Sequence, residues 1–411
     1  MITKPSLIEE VDALYSLRPD AVEDPYPIYR RMQAEAPVLD HSGVIALTKY
    51  ADVAAVIRNM TDYSNQRGRG SRAEAAFSKV TAVQAGRMQE VMGFLDLWIT
   101  QMDPPAHTRI RGLVHRAFTP RRVGELDDSI QRLTDELIDE AAENRDFDFS
   151  VEFAYHLPLL VIAEMLGVDR SDLPMLGRWS DTLTKFFGTE YSNVDEAHDA
   201  MTEFRAYAEA MIADRRRTPH DDLLAALLEP DESGDKLSAE ELCGTFVLFL
   251  RAGHSTVSNL LGNGLHSLLL HPDQLRRLVD DPSLWGSAME EILRYAGPAH
   301  TVHRFALRTT TVNGTSIPAG MTIRTMPAAA NRDPDRFEDP DRFDVGRDDA
   351  RHLTFGIGPH FCLGAALARR EVTIALSSLI TRFPGLELAG EPRWKLNMTL
   401  RGLETLPLKL R

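Results

Sequence analysis

The densest chemistry in the chain lies at 355–364, F-G-I-G-P-H-F-C-L-G. Three glycines, one proline and Cys362 fall within ten residues, just ahead of a helical pattern that starts near Leu363 and stops before Pro384. Glycine has no Cβ, so its backbone can approach a flat object closely. A thiol at a helix N-terminus is favoured as thiolate, because unsatisfied N–H groups and the macrodipole stabilise an anion there. Such a thiol serves as a nucleophile, as a metal ligand, or as a small buried residue. A second cluster is A-G-H-S-T at 252–256, which puts small and polar groups inside an apolar run. A glycine inside a helix costs ~1 kcal/mol relative to alanine, so its presence there points to function. Glu291 and Arg294 stand three apart and His107 and Arg111 four apart, spacings that share a helix face.

The elements that must hold these groups read mostly as helix. Residues 25–36 open with proline in the first turn and stop at Pro37. Residues 44–48 read as a short strand, and the helix after Thr48 shows Tyr50, Val53, Val56 and Ile57 on one face. Residues 64–100 show no clean period and are expected to form a partly helical, mobile loop. Val123, Leu126, Ile130, Leu133 and Leu137 predict one long amphipathic helix. A helix is expected at about 154–166, a turn between helices at 186–195, and a break between helices at 215–224. Ser238 and Glu241 form a capping box, and no proline follows until Pro272. That helix can run ~32 residues, or ~48 Å, and cross the molecule. Beyond about 300, β-branched runs broken by Asn-Gly and Pro-Ala-Gly predict strands and hairpins. No linker splits the chain, so 1–411 is expected as one domain.

Composition narrows the function. Among 411 residues, Lys plus Arg is 46 and Asp plus Glu is 61, a net charge of −15, which argues against nucleic acid as main partner. Cys243 and Cys362 are the only cysteines, too few for a disulfide framework or a structural zinc. Cys243 sits on the apolar face of the long helix and reads as core. The N-terminus carries early acids and no long apolar core, so neither a signal peptide nor a membrane anchor is expected. A reducing cytoplasm is the expected compartment.

The motif F355-G356-x-G358-x-H360-x-C362-x-G364 resembles the haem-binding signature of the cytochromes P450. Glu291-x-x-Arg294, A-N-R-D-P at 330–334, P-D-R-F at 340–343, D-P-P-A-H-T-R-I-R at 103–111 and A-G-H-S-T at 252–256 follow the family's order. The likeness runs nearly the whole chain and points to the soluble bacterial branch. It implies a mainly α fold with a small β region, in which the long central helix crosses the distal haem face. It implies haem b with Cys362 as axial thiolate, which pushes electron density onto iron and favours O–O cleavage. Phe355, Gly356, His360 and Gly364 would then contact haem from the loop, and Ala252 and Gly253 from the central helix. His107, Arg111, Arg304 and His360 would hold the propionates. Glu291, Arg294 and Arg342 would form a buried structural triad.

By the same resemblance Thr256 holds the water that delivers protons to oxygen. The family has an acid before that threonine; here the residue is Ser255. Serine passes a proton along a water chain but does not store one near neutral pH. Arg251 stands where the family has an apolar residue facing substrate. It either meets an acidic or carbonyl-rich substrate or pairs with a protein carboxylate. His300, Thr301 and Val302 are further expected substrate contacts. The pocket would draw on 75–98, 180–193, 299–302 and 397–400, with Phe77, Phe94, Phe186 and Phe187. Arg109, Arg116, Arg121, Arg122, Arg369 and Arg370 suggest a basic dock for an acidic ferredoxin. The expected function is a monomeric monooxygenase placing one oxygen atom from O2 into a small organic substrate in secondary metabolism. Oxidative radical coupling is the alternative, and a non-catalytic haem sensor a remote one.

Overall fold

The computed structural model describes residues 5–66, 71–143, 146–188, 191, 193–218 and 220–410. The helices that build the site are α1 (Tyr26–Glu35), α2 (Tyr50–Arg58), α3 (Ala82–Leu95), α4 (Ala106–Ala117), α5 (Asp127–Glu143), α6 (His156–Leu166), α7 (Leu173–Gly188), α8 (Val194–Arg217), α9 (Ala239–Leu270), α10 (Trp285–Ala296) and α11 (Ala365–Arg382). The strands are β1 (Val38–His41), β2 (Val44–Leu47), β3 (Tyr63–Ser64), β4 (Val302–Ala306), β5 (Thr310–Val312), β6 (Thr315–Ile317), β7 (Thr322–Thr325), β8 (Arg393–Trp394) and β9 (Leu403–Thr405).

The central helix α9 starts where the sequence places it. Ser238 Oγ accepts from the Glu241 N–H at 3.1 Å, and Glu241 Oε2 accepts from the Ser238 N–H at 2.9 Å. The helix then runs 32 residues and packs against α6, α7, α8, α10 and α11. Because neighbours surround it, most of its middle is buried and its apolar pattern is broad rather than one-sided. One large apolar core gathers around it. Phe149–Leu166 is long and apolar enough to cross a bilayer by composition, and it packs into this core.

The main sheet runs β1-β2-β7-β4-β3. β2 and β7 pair in parallel, Val44 opposite Thr322, while β4 pairs antiparallel with β7, Arg304 opposite Ile323. Asn313 and Gly314 both take positive φ (48° and 74°) in the two-residue turn between β5 and β6, the geometry that Asn-Gly favours. α2 has no side-chain cap of its own; the Asp333 carboxylate accepts from the Tyr50 N–H at 2.8 Å.

Two expectations change. Residues 123–137 are not one helix: a short turn at Pro120–Gly124 precedes α5, which starts at Asp127. Within 64–100, α3 is a regular helix with a Thr81–Gln84 capping box. Its period was hidden because Met88, Val91, Met92, Phe94 and Leu95 spread the buried face widely. Residues 67–70 of that segment lie outside the described residues.

Candidate active site

The thiol loop is shaped by backbone needs. Gly356 and Gly358 have φ of +69° and +74°, where an L side chain is strained. The Cys362 N–H donates to Phe355 O at 2.9 Å, closing the loop on itself. Gly364 caps α11, and a Cβ added there meets nothing within 4 Å, because that side is open space. Cys362 is exposed, and the surface it presents lines a cavity. Burial pushes its thiol up, while the Gly364 N–H and the charges of Arg111 and Arg369 pull it down.

A buried ion pair anchors this loop. Arg294 Nε donates to Glu291 Oε2 at 2.6 Å and Nη2 to Oε1 at 2.8 Å, both side chains 0% exposed. Arg294 also donates to the carbonyls of Asn331, Pro340 and Arg342. The second arginine on Glu291 is Arg347, at 3.2 Å, and not Arg342. The Arg342 side chain is 62% exposed and pairs with Asp344. Only the Arg342 backbone serves the network, so the P-D-R-F motif pointed to the right strip of chain and the wrong side chain. Asn331 extends the anchor: its Oδ1 accepts from the Leu353 N–H at 2.7 Å and its Nδ2 donates to Thr354 Oγ1 at 2.9 Å, just before Phe355.

A slot separates the thiol loop from α9. Two cavities of about 290 and 270 Å³ share Thr100, Thr256, Val257, Phe355, His360, Cys362 and Ala368 as lining. Arg111 lines one and Arg304 the other. The His107 and His360 rings lie 3.9 Å apart, and Nε2 of each is buried without a hydrogen-bond partner. Burial, then His107, Arg304 and Arg111, depresses the His360 imidazole to about 2. Arg111 Nη2 donates to Phe361 O at 2.5 Å. Arg304 donates to His303 O and Ile57 O. This end of the slot therefore crowds cationic and donor groups, with the Asp103 carboxylate close enough to act on His107.

On the opposite wall, Ala252, Gly253 and Thr256 line the slot. Thr256 Oγ1 donates to Ala252 O at 2.7 Å, a side-chain bond that competes with the helix ladder. Gly253 has a packing role too: a Cβ there would sit 3.2 Å from Ile162 of α6. Ser255 points elsewhere, with its Oγ 3.4 Å from Thr184 Oγ1 on α7.

The sequence model of the family described as Cytochrome P450 matches residues 161–281 and 284–409. The cytochrome P450 monooxygenase PikC of Streptomyces venezuelae is 40% identical over 97% of this chain and 94% of its own length. The 6-deoxyerythronolide B hydroxylase of Saccharopolyspora erythraea is 36% identical, over 94% and 96%. The crystal structure of Mycobacterium smegmatis CYP164A2 in its ligand-free state superposes with a TM-score of 0.87 at 36% identity, over 98% and 100%. The chain belongs to the cytochrome P450 family. It is an enzyme, as its relatives named monooxygenase and hydroxylase are. P450s carry haem iron on a cysteine thiolate. The slot fits such a group: the open face at Gly364 suits a flat macrocycle, and the orphaned imidazole nitrogens beside Arg111 and Arg304 suit two carboxylates.

Several expected contacts of this P450 fall outside the slot. His300 is 2% exposed, with Nδ1 2.9 Å from the Tyr29 hydroxyl, and burial holds it neutral as a core residue. Thr301 is buried and lines neither cavity. Val302 and Ala299 do line one. Arg251 lines neither; its guanidinium lies 5.4 Å from the Trp98 ring centroid. Phe94 and Phe186 are core, and Phe77 packs on that core. The Phe187 side chain and residues 189, 190 and 192 lie outside the described residues. The arginine patch is neutralised: Arg109 pairs with Asp235 and Glu241, Arg116 with Asp231, Arg121 with Glu125, Arg122 with Asp221, Arg369 with Glu290 and Arg370 with Asp127. Glu371 is the acidic residue among the lining residues that the sequence did not single out. Glu371 of α11 is 2% exposed, has Oε1 without a partner, and is raised by burial to about 8. An acid inside an otherwise apolar helix stripe was its only signal.

Proposed function

We propose that this P450 inserts one oxygen atom from O2 into a small, largely apolar organic substrate of secondary metabolism. Electrons would pass from NAD(P)H through a ferredoxin reductase and a ferredoxin, with the monomer acting in the cytoplasm. The observation that carries the reading is one slot with the Cys362 thiol on one wall and the Thr256 alcohol on the other. The compartment and the metabolic setting rest on likeness to bacterial P450s, some named for polyketide biosynthesis.

Bound haem supplies the iron centre that activates O2. In this reading Cys362 Sγ would hold the haem iron, and the Gly364 N–H would temper the charge it donates. His107, Arg111, Arg304 and His360 would hold the propionates, which would satisfy both orphaned imidazole nitrogens. Thr256 Oγ1, held by Ala252 O, passes a proton into the slot. Leu248, Phe249, Val257, Ile162 and Leu260 exclude bulk water, which strengthens each polar contact inside.

The test is turnover of the holoenzyme with a ferredoxin, its reductase and NADH, after a compound library has been titrated against the haem Soret band. A compound that shifts the band should yield a product carrying one atom of isotopically labelled dioxygen. Consumption of NADH with coupled dimers and no label in the product would replace this reading with oxidative coupling.

A further inference from the structure

The central helix lacks an acid before Thr256, but a neighbouring helix that packs on it carries one, Asp181. On α7, Gly177, Asp181 and Thr184 recur at intervals of four and three and share a face. This face packs onto the start of α6 and onto α9; a Cβ at Gly177 would sit 2.5 Å from the Tyr155 hydroxyl. On α9, Ser255 and Asn259 stand four apart and form the facing stripe. One polar contact joins the two stripes, and a turn further on a second ties α9 to the C-terminal region. Thr184 Oγ1 lies 3.4 Å from Ser255 Oγ, and Lys395 Nζ donates to Asn259 Oδ1 at 3.1 Å. Asp181 sits beside both contacts: its Oδ2 accepts from the Tyr155 hydroxyl at 2.9 Å, and the Lys395 charge acts on it.

We propose that Asp181 loads protons onto Ser255 through Thr184, and so takes the place of the acid missing from A-G-H-S-T. This rests on the monooxygenase reading above. Asp181 is a positioning residue that acts through Ser255 and does not touch substrate. Each proton that Ser255 Oγ hands toward Thr256 Oγ1 is replaced, by way of Thr184 Oγ1 and water, from the Asp181 carboxyl. Bulk water then reprotonates Asp181, and no electron moves on this path. Ser255 is 9% exposed, whereas Asp181 still reaches solvent, so the pair spans the distance from the surface to the buried side of α9. Burial raises the Asp181 carboxyl, and the Tyr155 hydroxyl and Lys395 pull it back, so it holds a proton more readily than an ordinary aspartate. The groups that act on it are the Tyr155 hydroxyl ahead of α6 and the Lys395 charge after β8, and the stretch of α9 packed against α7 carries His254, Ser255 and Asn259. His254 is held neutral, its imidazole depressed to about 4 by burial. Glu371 is the competing acid: it is 2% exposed, lines the slot and has Oε1 without a hydrogen-bond partner.

The experiment measures product per NADH in holoenzyme for wild type, Asp181→Asn, Thr184→Val, the double variant Asp181→Asn with Ser255→Asp, and Glu371→Gln. Asp181→Asn and Thr184→Val should each lower product yield about tenfold, below the usual range for a general acid because water partly bypasses the path. Soret titration should show unchanged substrate affinity. Ser255→Asp should restore yield in the Asp181→Asn background, which a merely structural role would not allow. A carbon NMR titration of aspartate-labelled resting enzyme should find the Asp181 carboxyl above the ordinary aspartate value and higher still in Tyr155→Phe. Wild-type yields in Asp181→Asn and Thr184→Val would overturn the relay, as would a loss that Ser255→Asp does not recover or a loss confined to Glu371→Gln. Should wild type form no oxygenated product, the functional reading fails by itself. The NMR result then decides the relay, and an Asp181 carboxyl that titrates normally and ignores Tyr155→Phe overturns it.

Discussion

The thiol loop and the alcohol groove of the central helix face each other across one slot, but they are built by different means. The loop depends on backbone: Gly356 and Gly358 adopt φ values that side chains resist, and a 0%-exposed Glu291–Arg294 pair fixes the strip of chain beside it. The groove depends on side chains contributed by separate elements. Behind its wall, and lining neither cavity, stand Thr184 and Asp181 from α7, Tyr155 ahead of α6 and Lys395 after β8. A change in the loop should therefore cost fold and cofactor together. A change in the groove should cost chemistry and leave the fold standing.

The sharpest way to break this contrast is at the anchor. Glu291→Gln leaves Arg294 and Arg347 buried beside a neutral amide, and should destabilise by ~3–5 kcal/mol, as removal of one buried partner does. Arg342→Ala should stay within ~0.5 kcal/mol, since its side chain is exposed. Denaturant unfolding of both variants checks this, and equal losses would put Arg342 back in the network.

Glu371 comes next, because it belongs to the slot rather than to either wall. Its folded pKa is raised from 4.5 to about 8 by burial alone. A group raised in this way contributes stability below its unfolded value and loses it as pH rises through its folded value. Thermal unfolding of wild type should therefore weaken as pH climbs from 4.5 to about 8, and Glu371→Gln should flatten that slope. Parallel slopes would mean that the carboxyl has found a partner in solution.

The smallest effect is expected at the surface. Arg116→Glu with Arg370→Glu should slow reduction by ferredoxin only a few-fold and leave substrate affinity alone. Both arginines already pair with Asp231 and Asp127, and exposed pairs are worth ~0–1 kcal/mol. The slowing should fade as salt rises, since screening sets in beyond ~10 Å at 0.1 M. Reduction rates that ignore both charge reversals would remove this face as the docking site.

What was legible in the sequence follows the same division. Glycine spacing announced the thiol loop, because a positive φ or an open face restricts residue type at that position. The Ser238–Glu241 box announced the start of α9, because capping is local. Arg347 and Asp181 were not legible, because their partners lie far off in sequence: 56 residues separate Arg347 from Glu291, and 26 separate Asp181 from Tyr155; Glu371 was not, because only its burial sets it apart. His300 misled for the same reason, since the Tyr29 contact that buries it spans 271 residues. Residue type advertises a backbone constraint, whereas a long-range side-chain contact leaves only an odd residue in place, as Ser255 is.

The central claim is that Cys362 is the thiolate of a haem enzyme, and one spectrum tests it most directly. Reduced wild-type holoenzyme should give a red-shifted Soret band on binding carbon monoxide, because a thiolate ligand is required for it. Cys362→Ser should lose that band while Cys243→Ser, altering a buried core thiol, keeps it. A red-shifted band that survives in Cys362→Ser would contradict the ligand assignment and the reading built on it.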